Sequence, residues 1–212
     1  MANTNKPRGF SPVKSLVGNG KFQTNVYAIA TDASNTYAIG DVVMSKASSN
    51  AKGIRYVQKW GGATTTSALP LGIIVGFQTP GAGNSLQGVS LTLENQWLAK
   101  SSAETLVIVA DDPFLVFEAQ FDSTAIVAAD LSKNAAVTVT ADQTSLSQSS
   151  PQASTVLTGP AVTATLPVRL LGAVQEEGNE VGAYVKVLCK WNYHENGITA
   201  GASGTVVSYL AV

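Results

Sequence analysis

The stretch VIVADDPFLVFEAQFD, residues 107–122, contains two short apolar runs separated by a polar break. The break is Asp111-Asp112-Pro113. These are turn-forming residues, because an Asp side chain bonds the backbone that follows it and Pro fixes φ. Short apolar runs bounded by such residues are typical of β-strands. The stretch therefore predicts two strands with a turn between them.

The same pattern of short apolar runs and turn residues continues along most of the chain. Glycine, proline, asparagine and aspartate separate the runs, and Gly40-Asp41 is predicted as a bend. The predicted strands are 25–31, 37–47, 54–60, 70–79, 88–100, 105–111, 115–121, 135–142, 154–159, 166–175, 183–194 and 206–212. Near-regular spacing of this kind predicts an all-β fold, a single β-sandwich or barrel-like module.

One helical turn is predicted, over residues 123–134. Ser123 or Thr124 would cap its start and Asn134 would end it. Asp122 precedes the turn, where a negative charge suits a helix N-terminus.

Two segments depart from the strand pattern. Residues 1–20 are polar and contain Pro7 and Pro12, which we expect to prevent regular structure, so they are predicted to form an extended arm before a β-rich domain at 21–212. Residues 138–158 are rich in Ser and Thr, and because β-patterning continues on both sides they are predicted as a solvated hairpin or long loop.

Composition limits the classes of function. Charged residues make up 13% of the 212 residues, whereas an average globular domain has about 25%. The net charge of −1 provides no basic excess for nucleic acid, and no apolar run is long enough for a transmembrane helix. The start of the chain lacks the apolar core of a signal peptide, so we expect synthesis in a cytoplasm, with no nucleic-acid and no membrane partner.

Four carboxylates lie close together in the opening stretch: Asp111, Asp112, Glu118 and Asp122. A hydrolase would pair two of them across a substrate, and a hard cation would need alternating oxygen ligands, a pattern that this stretch lacks. Turn and cap roles fit their positions better, and a β-fold hydrolase stays as an alternative.

His194 is the single histidine and Cys189 the single cysteine. Together they are too few for a zinc site, and their odd separation places them on opposite faces of a strand. No G-x-S-x-G nucleophile motif is present. We therefore expect Cys189 to be a small buried residue, His194 to lie at a strand end, and the chain to have no catalytic residues, cofactor or metal.

The three tryptophans, Trp60, Trp97 and Trp191, each lie in or beside a predicted strand. Packing in a core or a subunit interface is the favoured interpretation. The alternative is an aromatic platform in a carbohydrate-binding or adhesion module.

Several motifs resemble those of tailed-bacteriophage capsid decoration (cement) and minor head proteins. KPRGFSPVKSLVGNG (6–20) precedes NVYAIATDASNTYAIGDVV (25–43), and VADDPFLVFEAQFD (109–122), LPVRLLGAV (166–174) and NEVGAYVKVLCKWNYH (179–194) follow in the same order. The matching positions are Gly9, Phe10, Pro12, Val13, Tyr27, Ile29, Ala30, Gly40, Asp41 and Val43.

The resemblance implies a structural protein on the outer surface of a mature phage head, with the major capsid protein as partner and no catalytic residues. A homo-oligomer is expected, and a trimer fits three-fold capsid positions. A tail or neck component with the same β-module is the alternative location.

The predicted arm supplies the candidate contacts with the capsid. Phe10, Val13 and Leu16 are spaced by three and would be the apolar anchors, while Pro7 and Pro12 lower the entropy lost on ordering. A positive bias suited to an acidic capsid surface comes from Lys6, Arg8 and Lys14.

Overall fold

The computed structural model describes residues 3–30, 37–62, 68–78, 97–98, 104–139, 155–200 and 206–208, and in these ranges the protein is all-β, as predicted. The strands are β1 (Ser11–Ser15), β2 (Asn25–Ile29), β3 (Tyr37–Ala38), β4 (Val42–Ser49), β5 (Arg55–Lys59), β6 (Gly72–Gln78), β7 (Trp97–Leu98), β8 (Thr105–Ala110), β9 (Leu115–Gln120), β10 (Asn134–Thr138), β11 (Val156–Ala161), β12 (Val168–Ala173), β13 (Lys186–Trp191), β14 (Ile198–Ala200) and β15 (Val206–Ser208). Short 3-10 helices lie at Gly18–Gly20 and Ala128–Ser132. No helix in the described part of the chain has the length and apolar character needed to cross a membrane.

Two large sheets form the module. Strands β2, β5, β4, β6 and β8 close into a barrel in that order, with β2 and β5 parallel and the other pairs antiparallel. A six-stranded antiparallel sheet has the order β1-β9-β13-β12-β10-β11. The pairs β3–β7 and β14–β15 form two small ladders.

The barrel and the sheet pack against each other through a shared core. Alternation along strands explains how the barrel serves two cores, because neighbouring residues of a strand face opposite sides. The first core contains Val43 and Ile74. The second, which is the shared core, contains Val42 and Ile73 together with residues of the sheet. The first core comprises Tyr27, Ile29, Tyr37, Val43, Val57, Leu71, Ile74, Phe77, Val107 and Val109.

The Asp-Asp-Pro break is a turn, as predicted. The backbone N–H of Phe114 donates to Asp112 Oδ1 at 2.8 Å, and the N–H of Leu115 donates to the Asp112 carbonyl at 3.2 Å. The turn joins β8 of the barrel to β9 of the sheet, so the two strands of the opening stretch belong to different sheets.

The predicted helical turn is shorter than expected and begins later. A 3-10 helix covers Ala128–Ser132, and its N-cap is Val127, whose own side chain cannot cap it, so capping by Ser123 or Thr124 is wrong. Two aspartates bind the backbone here instead. Asp122 accepts a hydrogen bond from the Thr124 N–H at 2.8 Å, and Asp130 accepts one from the Val127 N–H at 2.8 Å.

Regular structure extends into the segment predicted as an arm. Residues 11–15 form β1, with Pro12 opposite Phe117, so the expectation that the prolines prevent regular structure is wrong there. An edge strand tolerates proline, because the missing N–H can face away from the neighbouring strand. The division of the chain near residue 20 stays a prediction.

The Ser/Thr-rich segment connects β10 to β11, which pair antiparallel. Residues 140–154, most of that segment, lie outside the described residues, as do residues 88–96 and 99–100 of the strand predicted over 88–100.

Candidate interaction site

The N-terminal segment, residues 3–16, is anchored by Phe10. Its side chain is 1% exposed. Its ring is stacked on that of Phe117 with ring centroids 4.9 Å apart, and its centroid lies 5.7 Å from that of the Trp191 ring. In this arrangement the ring of Phe10 fills the core of its own module, and its role as an anchor on a neighbouring protein stays a prediction.

Gly40 fixes the backbone of the same segment. The Phe10 N–H donates to the Gly40 carbonyl at 2.9 Å. Gly40 has φ of +96°, and a Cβ at this position would lie 2.4 Å from the Arg8 carbonyl oxygen. Only glycine fits such an approach. The Gly-Phe and Gly-Asp motifs, far apart in sequence, thus pack on each other.

A buried ion pair at Asp41 stabilises the turn that contains Gly40. Asp41 is fully buried, and one of its carboxylate oxygens lies 3.0 Å from Lys59 Nζ. The same oxygen accepts a hydrogen bond from the Ala38 N–H at 2.8 Å. The bend predicted at Gly40-Asp41 is confirmed, and its carboxylate holds the turn together.

Two amide side chains bind the first residues of the segment. Gln120 accepts a hydrogen bond from the Lys6 N–H at 3.1 Å and donates one to the Thr4 carbonyl at 2.9 Å. The Asn3 side chain donates to the carbonyls of Glu180 and Ala183 at 2.7 and 2.8 Å. The start of the segment is therefore bound to the module by hydrogen bonds to its backbone and to Asn3.

A cleft of about 550 Å³ lies between the segment and the chain from 176 to 186. Its charged residues are of both signs: Lys6, Arg8, Glu176, Glu177 and Lys186. Lys186 pairs with Glu176, and the Arg8 guanidinium lies 3.9 Å from Glu118. Partly exposed pairs of this kind contribute little stability.

The eight predicted contact residues divide into three groups. Phe10 is buried, and Pro7 and Pro12 are half-buried. The five exposed members are Lys6, Arg8, Val13, Lys14 and Leu16. The structure therefore places the three cations of the prediction on the surface of one continuous segment.

An exposed apolar patch adjoins the segment, and the sequence prediction missed two of its three residues. The patch consists of Leu16, Val17 and Phe114, which are 52%, 49% and 47% exposed. The Leu16 N–H donates to the Phe114 carbonyl at 3.0 Å, so these two residues are neighbours across the end of β1 and β9. A large apolar residue directly after a turn proline is the signal that could have identified Phe114.

The adjacent aspartates are occupied by structural hydrogen bonds. Asp111 accepts from the Tyr27 hydroxyl at 2.7 Å and from the Asn25 side chain at 2.8 Å. Burial, and then the hydrogen bond to Asp111, raise the pKa of Tyr27. Asp112 forms the turn described above. In the described ranges, no group of three or more His, Cys, Asp or Glu residues is placed to hold a metal ion.

The two remaining acids of the opening stretch also have local roles. Glu118 lies in β9 opposite Ser11 and next to Arg8. Burial alone would raise the pKa of Asp122, but hydrogen bonds from Thr124 and Thr158 outweigh it and hold that pKa below its usual value.

Cys189 and His194 occupy the positions that the sequence predicts. Cys189 is fully buried in β13, its Sγ donates to the Phe117 carbonyl at 3.4 Å, and burial raises its pKa well above the usual value. His194 follows the end of β13 and is 2% exposed. Burial lowers its pKa to about 4 and outweighs the opposite effect of nearby Asp111 and Glu195, so the ring is neutral at pH 7.

Two of the three tryptophans are core residues. Trp60 is fully buried and Trp191 is 5% exposed, with their rings edge to face at 6.1 Å. A sugar platform built on either of them is therefore wrong. Trp97 lies in β7, and its side chain is outside the described part of the structure.

The arrangement presents exposed cations and an apolar patch along one ordered edge of the module. Such a surface can bind a partner of complementary charge and shape. Comparison of the chain with protein-family models, with curated proteins and with solved structures finds no match in any of the three.

Proposed function

We propose that this chain is a structural virion protein, a capsid decoration (cement) protein that binds the outer surface of a mature phage head and stabilises it. The observation that carries the proposal is the N-terminal segment, which is bound to its own module while Lys6, Arg8 and Lys14 stay exposed. The partner is the major capsid protein, and the proposed location is the outer surface of the capsid after synthesis in the host cytoplasm.

Preorganisation of the segment favours binding. Ordering a free arm costs about 1–2 kcal/mol of backbone entropy per residue, and this cost reduces the favourable free energy of binding. A segment held by Phe10, Gln120 and Asn3 has lost that entropy before the partner arrives. Its cations can then meet an acidic surface in a fixed geometry, and long-range attraction speeds the encounter.

Self-association is the second part of the proposal. A homo-oligomer places several N-terminal segments on one head at once, and a trimer matches the three-fold positions of a capsid. Simultaneous contacts raise the apparent affinity without any new contact in the single chain. No nucleic acid and no membrane takes part.

Co-sedimentation with phage heads tests the proposal. We expect saturable binding to mature, expanded heads and none to unexpanded precursor shells, with a stoichiometry that identifies the symmetry position. Lys6→Glu and Lys14→Glu should each weaken binding several-fold at low salt, because each reverses an exposed charge. Lys52→Glu, at an exposed lysine in the turn after β4, is the matched control and should bind like the wild type.

Absence of binding to both kinds of shell would refute the proposed function. Binding to purified tails instead would favour the alternative of a tail or neck component.

A further inference from the structure

We propose that copies of this chain exchange their N-terminal segments, so that residues 3–16 of one copy occupy the site on the next copy that they occupy here on their own module. The proposal rests on the self-association part of the proposed function and does not depend on head binding.

The site that receives the segment is built from later parts of the chain. Phe10 fits between Phe117 and Trp191, its N–H binds Gly40, and β1 pairs with β9. Gln120 binds the backbone of residues 4 and 6. A segment from another copy can make the same contacts, because none of them depends on which chain supplies it.

The connector between β1 and β2 is suited to opening at residues 17–21, which are all exposed. Gly18, Asn19 and Gly20 have φ of +66°, +61° and +80°, so three consecutive residues lie in the left-handed region. A Cβ on Gly18 or Gly20 would meet nothing within 4 Å, so this turn is not packed against the module. Opening the turn at Gly18–Gly20 loses few contacts, and Phe22, which packs against the shared core, stays on its own module. Extended, residues 17–21 span about 17 Å, at roughly 3.3 Å per residue.

The apolar patch lies where two exchanging copies meet. Leu16 ends the exchanged segment and Val17 begins the connector, and the Leu16 N–H donates to the Phe114 carbonyl. About half of each of these side chains is exposed in the single chain. Crossing connectors bring the patches of two copies together and remove this apolar surface from water. This proposal assigns Leu16 to the contact between copies. Val13 then remains the exposed apolar residue proposed to contact the capsid.

Simple edge-to-edge pairing of two copies through β1 is disfavoured. The strand carries Pro12 and Lys14 and has an irregular register between them. Proline, lysine and bulges are features that block the edges of natural sheets. The observations therefore favour exchange of the whole segment over addition of one β1 strand to another.

A disulfide across β1 and β9 distinguishes the two arrangements. Ser11 and Glu118 are directly opposite in register, and antiparallel pairs have a Cα separation that a disulfide can bridge. In a Cys189→Ala background, the Ser11→Cys/Glu118→Cys variant is oxidised and run on a denaturing gel without reductant. Exchange predicts covalently linked dimers or trimers, and a closed arrangement predicts only internally bridged monomers, which would overturn the inference. The two single-cysteine variants measure random cross-linking.

A second measurement needs no cysteine. Light scattering after size exclusion gives the mass of the wild type and of two connector variants. Deleting Asn19 and Gly20 removes two of the three left-handed residues and shortens the connector, so this variant should form only oligomers. Inserting six Gly/Ser residues after Gly20 lengthens the connector and should shift the chain towards monomers. Equal masses for all three proteins would also overturn the inference. Head binding by a chain that does not exchange would leave the proposed function intact.

Discussion

The ring of Phe10 lies on the ring of Phe117 with 18° between their planes, and both contact Trp191, whose ring centroid is 4.5 Å from that of Phe117. This cluster joins the N-terminal segment to the centre of the six-stranded sheet. The segment is therefore part of the folded module in the described arrangement. The buried ring of Phe10 fixes the position of the backbone that carries the exposed cations.

Replacing this anchor should destabilise the fold. We expect Phe10→Ala to lower the free energy of unfolding by about 3–5 kcal/mol, because it removes a fully buried ring and leaves a cavity. Urea denaturation followed by circular dichroism measures the change. Val13→Ala is the control, since Val13 is 48% exposed and should change stability by less than about 0.5 kcal/mol. A loss below about 1 kcal/mol for Phe10→Ala would contradict the packing described.

The close approach at Gly40 predicts a second effect. Gly40→Ala combines a positive φ with a Cβ 2.4 Å from the Arg8 carbonyl, so the N-terminal segment must move. We expect a loss of about 1–3 kcal/mol or more, together with faster proteolysis of the segment. Gly18→Ala is the matched control, because Gly18 also has a positive φ but open space around it. Equal losses for the two variants would show that the contact with Arg8 is unimportant.

Local pattern was sufficient to predict most strands, but not their arrangement. The Asp112 turn and the strands on either side of it follow from residues close in sequence. The assignment of β8 to a barrel and β9 to a sheet depends on contacts far apart in sequence, which periodicity does not encode. Strand β1 was not predicted, because proline usually ends a strand. Pro12 is tolerated because β1 lies at the edge of the six-stranded sheet.

The candidate site shows the same division. Exposure of Lys6, Arg8 and Lys14 follows from their charge, and the structure agrees. The position of Phe10 could not be predicted, because an apolar residue in a terminal segment gains similar free energy in its own core or in that of a neighbour. Phe114 was missed because its exposure depends on where the turn leaves the sheet.

The buried carboxylate of Asp111 should be structural. Asp111→Ala removes the acceptor of the Tyr27 hydroxyl and of the Asn25 amide. A buried donor without a partner costs about 1–3 kcal/mol, so we expect a loss of that size in chemical denaturation. Glu118→Ala is the comparison, because its ion pair with Arg8 is long and partly exposed, and the loss should stay below about 1 kcal/mol. The reverse order would contradict these roles.

The thiol of Cys189 should be unreactive in the folded protein. It is fully buried, and burial raises its pKa well above the usual value, so almost no thiolate is present or accessible. We expect a chromogenic disulfide reagent to modify the native chain only as fast as it unfolds. In urea the same reagent should detect the single cysteine at once. Rapid modification without denaturant would mean that β13 opens locally.

His194 should make the protein less stable as pH falls. Burial lowers its pKa from 6.5 to about 4, so between these values the unfolded chain binds more protons than the folded one. The contribution is therefore fully present above pH 6.5 and is lost as pH falls towards 4, with a loss of about 2 kcal/mol between pH 7 and pH 5. This interval lies above the range in which Asp122 and Asp130 titrate, because hydrogen bonds lower the pKa of both. Denaturation at pH 7 and pH 5 measures the difference, and His194→Gln, which cannot titrate, should reduce it by that amount. If the variant keeps the full difference, groups other than His194 cause the pH dependence.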